Sequence, residues 1–90
     1  MMKLKNDYVL REIAGEYIMI ATGERTKEFN GMVRCNEVAY SILKLLQDGT
    51  TQKEIVEHLR NTYDVSIDKI EKDVDTIINQ LIDGGFVIEL

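Results

Sequence analysis

The chain has 90 residues, 44% of them apolar and 30% charged, with no proline, one cysteine and one histidine. A chain of that size builds one core and little more, and this composition belongs to a folded globular domain rather than a linker or a disordered tail. The net charge of −5 is unevenly placed: residues 1–63 carry nine positive and nine negative charges, and the whole excess lies in residues 64–90, where Lys69 and Lys72 stand against Asp64, Asp68, Glu71, Asp73, Asp75, Asp83 and Glu89.

The opening Met1-Met2-Lys3-Leu4-Lys5-Asn6-Asp7 has no apolar stretch behind its lysines, so it does not read as a signal peptide. The longest apolar runs reach five residues, against the roughly 20 that cross a bilayer. With a single cysteine no intrachain disulfide can form, and the expected setting is cytoplasmic, away from membranes.

Two β-rich runs follow, Tyr8–Ile13 and Glu16–Ala21, separated only by Ala14-Gly15. A two-residue, glycine-containing step between such runs predicts a hairpin. Residues 22–28 are polar and turn-forming, and Phe29–Cys35, around Gly31, reads as a short third strand. Three strands on such short connections form an antiparallel sheet, because parallel pairing needs a long crossover.

At Asn36 the apolar period changes from two to about 3.6. Asn36 is placed as an N-cap, Val38, Ala39, Ile42, Leu45 and Leu46 recur at helical spacing, and Gly49 ends the helix. Thr51-Gln52-Lys53-Glu54 is a capping box that opens a second helix, with Ile55, Val56 and Leu59 as its buried stripe and an end near Tyr63. Ser66 caps a third and longer helix bearing Ile67, Ile70, Val74, Ile77, Ile78, Leu81 and Ile82. Gly84-Gly85 stops that helix, and Phe86–Glu89 closes the chain as a strand. The predicted fold is therefore α+β: residues 1–35 form a three-stranded antiparallel sheet, and residues 36–90 form a three-helix winged helix-turn-helix with a short C-terminal strand, in one domain.

The residues that catalysis or cofactor binding would need are missing from the pattern. Cys35 as a nucleophile requires a base within hydrogen-bond reach, and His58 is separated from it by a whole helix. The expected reading is a small buried thiol at a strand end and a partly exposed helix histidine. There is no CxxC, no HExxH and no pair of histidines, and the acids of the third helix match no calcium loop. Gly84-Gly85 and Gly15 lack the strand, lysine and helix context of a phosphate cradle. Neither an enzyme nor a cofactor is expected. DNA is also disfavoured: duplex affinity comes from Lys and Arg neutralising phosphates, whereas residues 67–83, the helix that would enter the groove, hold two lysines and five acids.

The ordered segments resemble one family. Cys35-Asn36-Glu37-Val38-Ala39 resembles the Leu-Asn-Glu-Thr-Ala step of PqqD-like proteins, and residues 45–55 are similar to that family's join between its first two helices. Tyr63-Asp64-Val65 before Ser66, Asp73-Val74, Leu81-Ile82-Asp83-Gly84-Gly85-Phe86-Val87 and the opening Val9–Gly15 continue the likeness, which covers about residues 8–88. Cys35 stands where leucine is common and Ser66 where aspartate is frequent.

The resemblance implies a RiPP recognition element, a domain that binds the leader of a ribosomally made precursor peptide. In that family the leader adds as a strand along the third strand, lies against the third helix and is presented to a modifying enzyme, often a radical SAM protein. The candidate edge is Gly31, Met32, Val33 and Arg34, since unpaired main-chain groups of an edge strand accept a further strand. On the third helix Ile70, Val74, Ile77 and Leu81 keep one stripe expected to face the core. Glu71, Asp75, Ile78 and Ile82, about 100° around, are the candidate groove wall. The alternatives are an acidic winged-helix assembly module, either an enzyme subunit or a homodimer through the free edge, and a transcriptional regulator. The chain is accordingly expected as a monomer or homodimer with no nucleic-acid partner.

Overall fold

A computed structural model of the chain describes residues 1–22 and 32–90. Its elements are β1 (Met2–Leu4), β2 (Tyr8–Ile13), β3 (Glu16–Ala21), β4 (Met32–Cys35), α1 (Glu37–Asp48), α2 (Gln52–Thr62), α3 (Ile67–Asp83) and β5 (Val87–Glu89). Most of the connection expected at residues 22–28 and the start of the third strand at 29–31, Gly31 included, lie outside the described residues.

β2, β3 and β4 form an antiparallel sheet in that order. The turn between β2 and β3 has Ala14 at φ 52° and Gly15 at φ 80°, the two left-handed residues of a type I′ turn, whose twist matches that of the strands. This turn fixes Glu12 opposite Tyr17, and β3 passes the register on: Tyr17 faces Cys35 and Met19 faces Val33. Side chains alternate across the sheet, so Tyr8, Leu10, Met19 and Ala21 enter the core while Arg11, Met32 and Arg34 point outward.

The N-terminus carries a strand that the sequence pattern did not predict. β1 pairs antiparallel with β5, Met2 opposite Glu89 and Leu4 opposite Val87, and Met2 exchanges main-chain hydrogen bonds with Thr50 at 2.7 and 2.8 Å. Three residues are too short for a periodic signal; this strand exists because β5, 83 positions away at Val87, supplies its ladder. Its gain is burial of Met2 and Leu4 beside α1.

The helices begin where capping chemistry places them. Asn36 Oδ1 accepts the Ala39 N–H at 2.7 Å, and Thr51 Oγ1 accepts the Glu54 N–H at 3.2 Å. The Glu54 carboxylate takes the Thr51 hydroxyl (3.2 Å), giving a variant of the expected box. Ser66 occupies the N-cap position of α3 without a side-chain cap hydrogen bond, so backbone geometry and the acidic first turn at Asp68 mark that helix start. One core joins sheet and helices through Met19, Ile42, Leu46, Ile55 and Val74, all essentially inaccessible. Each such side chain contributes about 1.5–3 kcal/mol by leaving water.

The phase of α3 differs from expectation. Ile70, Val74 and Ile78 are its buried residues, whereas Ile77 and Leu81, expected in the core, are only half-buried. The cause is the neighbour: α3 packs chiefly on α2 and stands off from β4. The face turned to α2 is therefore covered, which moves the buried line around the helix toward Ile78 and leaves Ile77 and Leu81 on the uncovered side.

Candidate functional site

β4 is the sheet's edge: it pairs with β3 and with no other strand among the described residues. An edge strand carries unpaired N–H and C=O groups along its outer side. Beside that edge, α1 fills only the bottom of the space between β4 and α3, and a cleft of about 310 Å³ remains. Met19 and Leu43 form its buried floor. Val33 and Cys35 line the strand side, Ile77, Gln80 and Leu81 line the helix side, and the Phe86 ring closes one end. Phe86 is braced by Tyr8, with ring centroids 5.1 Å apart at a tilt.

The walls are apolar and the rim is polar. Arg34, exposed on the other face of β4, lies 3.9 Å from Glu16, an exposed pair of little energetic weight. Burial pushes the Cys35 thiol up from its ordinary range, a shift opposed by the nearby Met19 main-chain N–H. Its S–H donates to the Val33 carbonyl at 3.8 Å, and no histidine lines the cleft. A neutral, hydrogen-bonded thiol with no base beside it is a wall of the cleft and a poor nucleophile. Tyr17, packed on Tyr40 with centroids 4.8 Å apart, is raised above its usual range by the Glu12 carboxylate first and by desolvation second, so its phenol is neutral at physiological pH.

The structure brings together some of the expected residues and separates others. Met32, Val33 and Arg34 lie on the edge strand, with Val33 turned inward and Met32 and Arg34 outward. Gly31 is outside the described residues. Ile78, 3% exposed, is part of the core. Glu71 opens on a separate groove between α2 and α3 with Gln52 and Arg60. Asp75 accepts from Gln52 at 3.5 Å and from Asn79 at 3.4 Å on that same side. Ile82 is 36% exposed and does not line the cleft. Ile77, Leu81 and Phe86 are the cleft residues that the sequence reading missed. For Ile77 and Leu81 the signal was the width of the apolar arc on α3, which runs from Ile77 round to Ile82 and exceeds what packing on one helix requires.

Among the described residues no group of three or more His, Cys, Asp or Glu side chains is arranged to hold a metal, and no helix is long and apolar enough to cross a membrane. A small winged helix-turn-helix with an added sheet, whose free edge overlooks an apolar cleft, has the form of a polypeptide-binding domain. The sequence pattern of coenzyme PQQ synthesis protein D matches residues 8–87, and the chain belongs to this PqqD family. Two solved structures share the fold. One is TbiB1 in complex with the TbiA(beta) leader peptide, with a TM-score of 0.77 and 20% identity over 98% of this chain and 96% of that one. The other is a lasso peptide synthetase B1 complexed with the leader peptide, with a TM-score of 0.75 and 17% identity over 98% of both chains. A search of curated proteins finds no match.

Proposed function

We propose that the chain is a non-catalytic peptide-binding domain that captures the leader of a ribosomally made precursor and presents it to a modifying enzyme, with a radical SAM protein as the expected class of partner. The observation that carries this reading is the free edge of β4 beside the apolar cleft against α3, in a PqqD-family chain whose fold is shared by two proteins solved with leader peptides. The leader lies along β4 as a fourth strand, its main chain satisfied by the edge and alternate side chains directed at Val33, Cys35, Ile77 and Leu81. Main-chain pairing supplies affinity that tolerates sequence change, and the cleft supplies selection.

The test is fluorescence anisotropy of labelled short peptides encoded beside the gene, titrated with the purified domain. Binding at micromolar or better, lost on removal of the peptide's N-terminal segment, is the expected result. Absence of binding by every such peptide overturns leader capture. N-methylation of alternate peptide amides removes main-chain donors and is expected to weaken binding at least tenfold in one of the two registers. Equal binding in both registers overturns strand addition while leaving capture in place.

A further inference from the structure

On the flank of α3 turned away from the cleft, a second groove of about 360 Å³ runs between α2 and the start of α3. Buried Val56 forms its floor, and Ile67, 41% exposed, stands with Glu71 on the α3 side. Lys53, Glu57 and Arg60 make one row along the α2 side, at steps of four and three residues, and all three are exposed. Neither these three nor Glu71 joins an ion pair among the described residues. The groove and the cleft beside β4 share no residue. Glu71 opens on the one and Ile77 on the other, and six residues set them about 120° apart around α3.

We propose that this groove docks a surface helix of the modifying enzyme. That helix carries two acids about seven residues apart with a base between them, and turns a leucine, methionine or phenylalanine toward Val56 and Ile67. The proposal rests on the leader-capture reading, in which the domain holds leader and enzyme together. A groove that shares no residue with the cleft allows both to be occupied at once. The occupant is helical because α2 and α3 satisfy their own main chains and offer no free ladder. An extended segment there could pair its N–H and C=O groups only with water, whereas a helix brings its own hydrogen bonds. The charges follow from the row on α2. Lys53 and Arg60 lie about 10 Å apart at 1.5 Å per residue and match acids at that spacing, while Glu57 between them matches the base. The same alternation disfavours a phosphate backbone, since an acid interrupts the two cations.

The experiment titrates the immobilised full chain with the purified enzymes encoded beside the gene, read by biolayer interferometry. The labelled peptides encoded there are titrated in parallel by anisotropy. Four chains are compared: the unsubstituted one, the double variant Lys53→Glu with Arg60→Glu, Ile67→Glu, and Leu81→Glu in the cleft. Ile67 is the first residue of α3, where an acid favours the helix, and thermal melting checks that each variant keeps its fold. Both groove variants are expected to bind the enzyme about tenfold more weakly with unchanged peptide affinity, and Leu81→Glu to do the reverse. Hydrogen exchange of the bound enzyme is expected to protect one helix with the stated pattern of acids and base. Enzyme binding equal on all four chains, binding by none of these enzymes, or protection of a segment without such a helix overturns the docking groove and leaves leader capture in place. Peptide binding absent from every chain, with enzyme binding still lowered by the groove variants, overturns leader capture alone.

Discussion

At the scale of single residues, the β2–β3 turn is where the chain departs most from what its backbone prefers. Ala14 sits at φ 52° without the short polar side chain that makes this region tolerable to asparagine. An L-residue with a Cβ there costs about 1–2 kcal/mol, and Asn-Gly is the pair that type I′ turns favour. Ala14→Asn is therefore expected to stabilise the domain by about 1 kcal/mol, a rise in melting temperature of about 4–8 °C for a chain of this size. Ala14→Val, β-branched and more strained, is expected to lower it. Circular dichroism melts of the two variants check the pair, and an unchanged or lower melting temperature for Ala14→Asn would show that the turn is not limited by strain. The turn matters to the cleft because it sets which residue of β3 faces Glu12, and through Tyr17 opposite Cys35 it sets which side chains of β4 point inward.

At the scale of elements, the cleft depends on how α3 ends. A Cβ at Gly84 would lie 2.6 Å from the Phe86 ring and 3.2 Å from the Gln80 carbonyl oxygen. The ring has little freedom to retreat, since Tyr8 packs on it. Gly84→Ala is expected to push Phe86 off its seat, cost about 1–3 kcal/mol as overpacking does, and weaken peptide binding by reshaping the end of the cleft. Thermal melting and the anisotropy titration read the two effects, and a variant with both values unchanged would show that Phe86 moves freely. The elements themselves were largely legible in the sequence. Asn36, Thr51 and Gly49 mark helix ends by local chemistry, and the β-rich runs at Tyr8–Ile13 and Glu16–Ala21 match β2 and β3 residue for residue. Non-local causes were not legible. β1 needs β5 to exist, and the buried line of α3 is set by its packing on α2, which no window of the α3 sequence contains. The edge strand was therefore found from its own residues, while the helical side of the cleft was placed about 100° away from Ile77 and Leu81.

At the scale of the whole molecule, charge is segregated along the chain: residues 1–63 are neutral in sum and residues 64–90 carry the net −5. Asp68, Glu71, Asp73 and Asp75 are all exposed on α3, so this helix presents a negative wall to solvent, with Glu71 and Asp75 on its α2 side, away from the cleft. In a molecule with extents of 39 × 33 × 19 Å, screening decides how far that wall is felt. The screening length is about 30 Å at 10 mM salt, comparable with the molecule itself, and about 10 Å at 0.1 M. A cationic peptide is thus steered from a distance at low salt and only on contact at higher salt. A bound peptide with two lysines or arginines is expected to lose about three- to tenfold in affinity between 10 mM and 0.3 M NaCl. Most of that loss belongs in the association rate, because exposed charges act mainly on encounter while apolar contacts hold the complex. The triple variant Asp68→Asn, Glu71→Gln, Asp73→Asn should flatten this dependence without changing the high-salt affinity. Stopped-flow anisotropy over a salt series separates the two rates. The same field repels a phosphate backbone, so a DNA duplex should show no binding at 0.15 M salt, where proteins that neutralise several phosphates still bind. Salt-independent association of a basic peptide would place it away from α3, and the acidic helix would then have no part in selecting the partner.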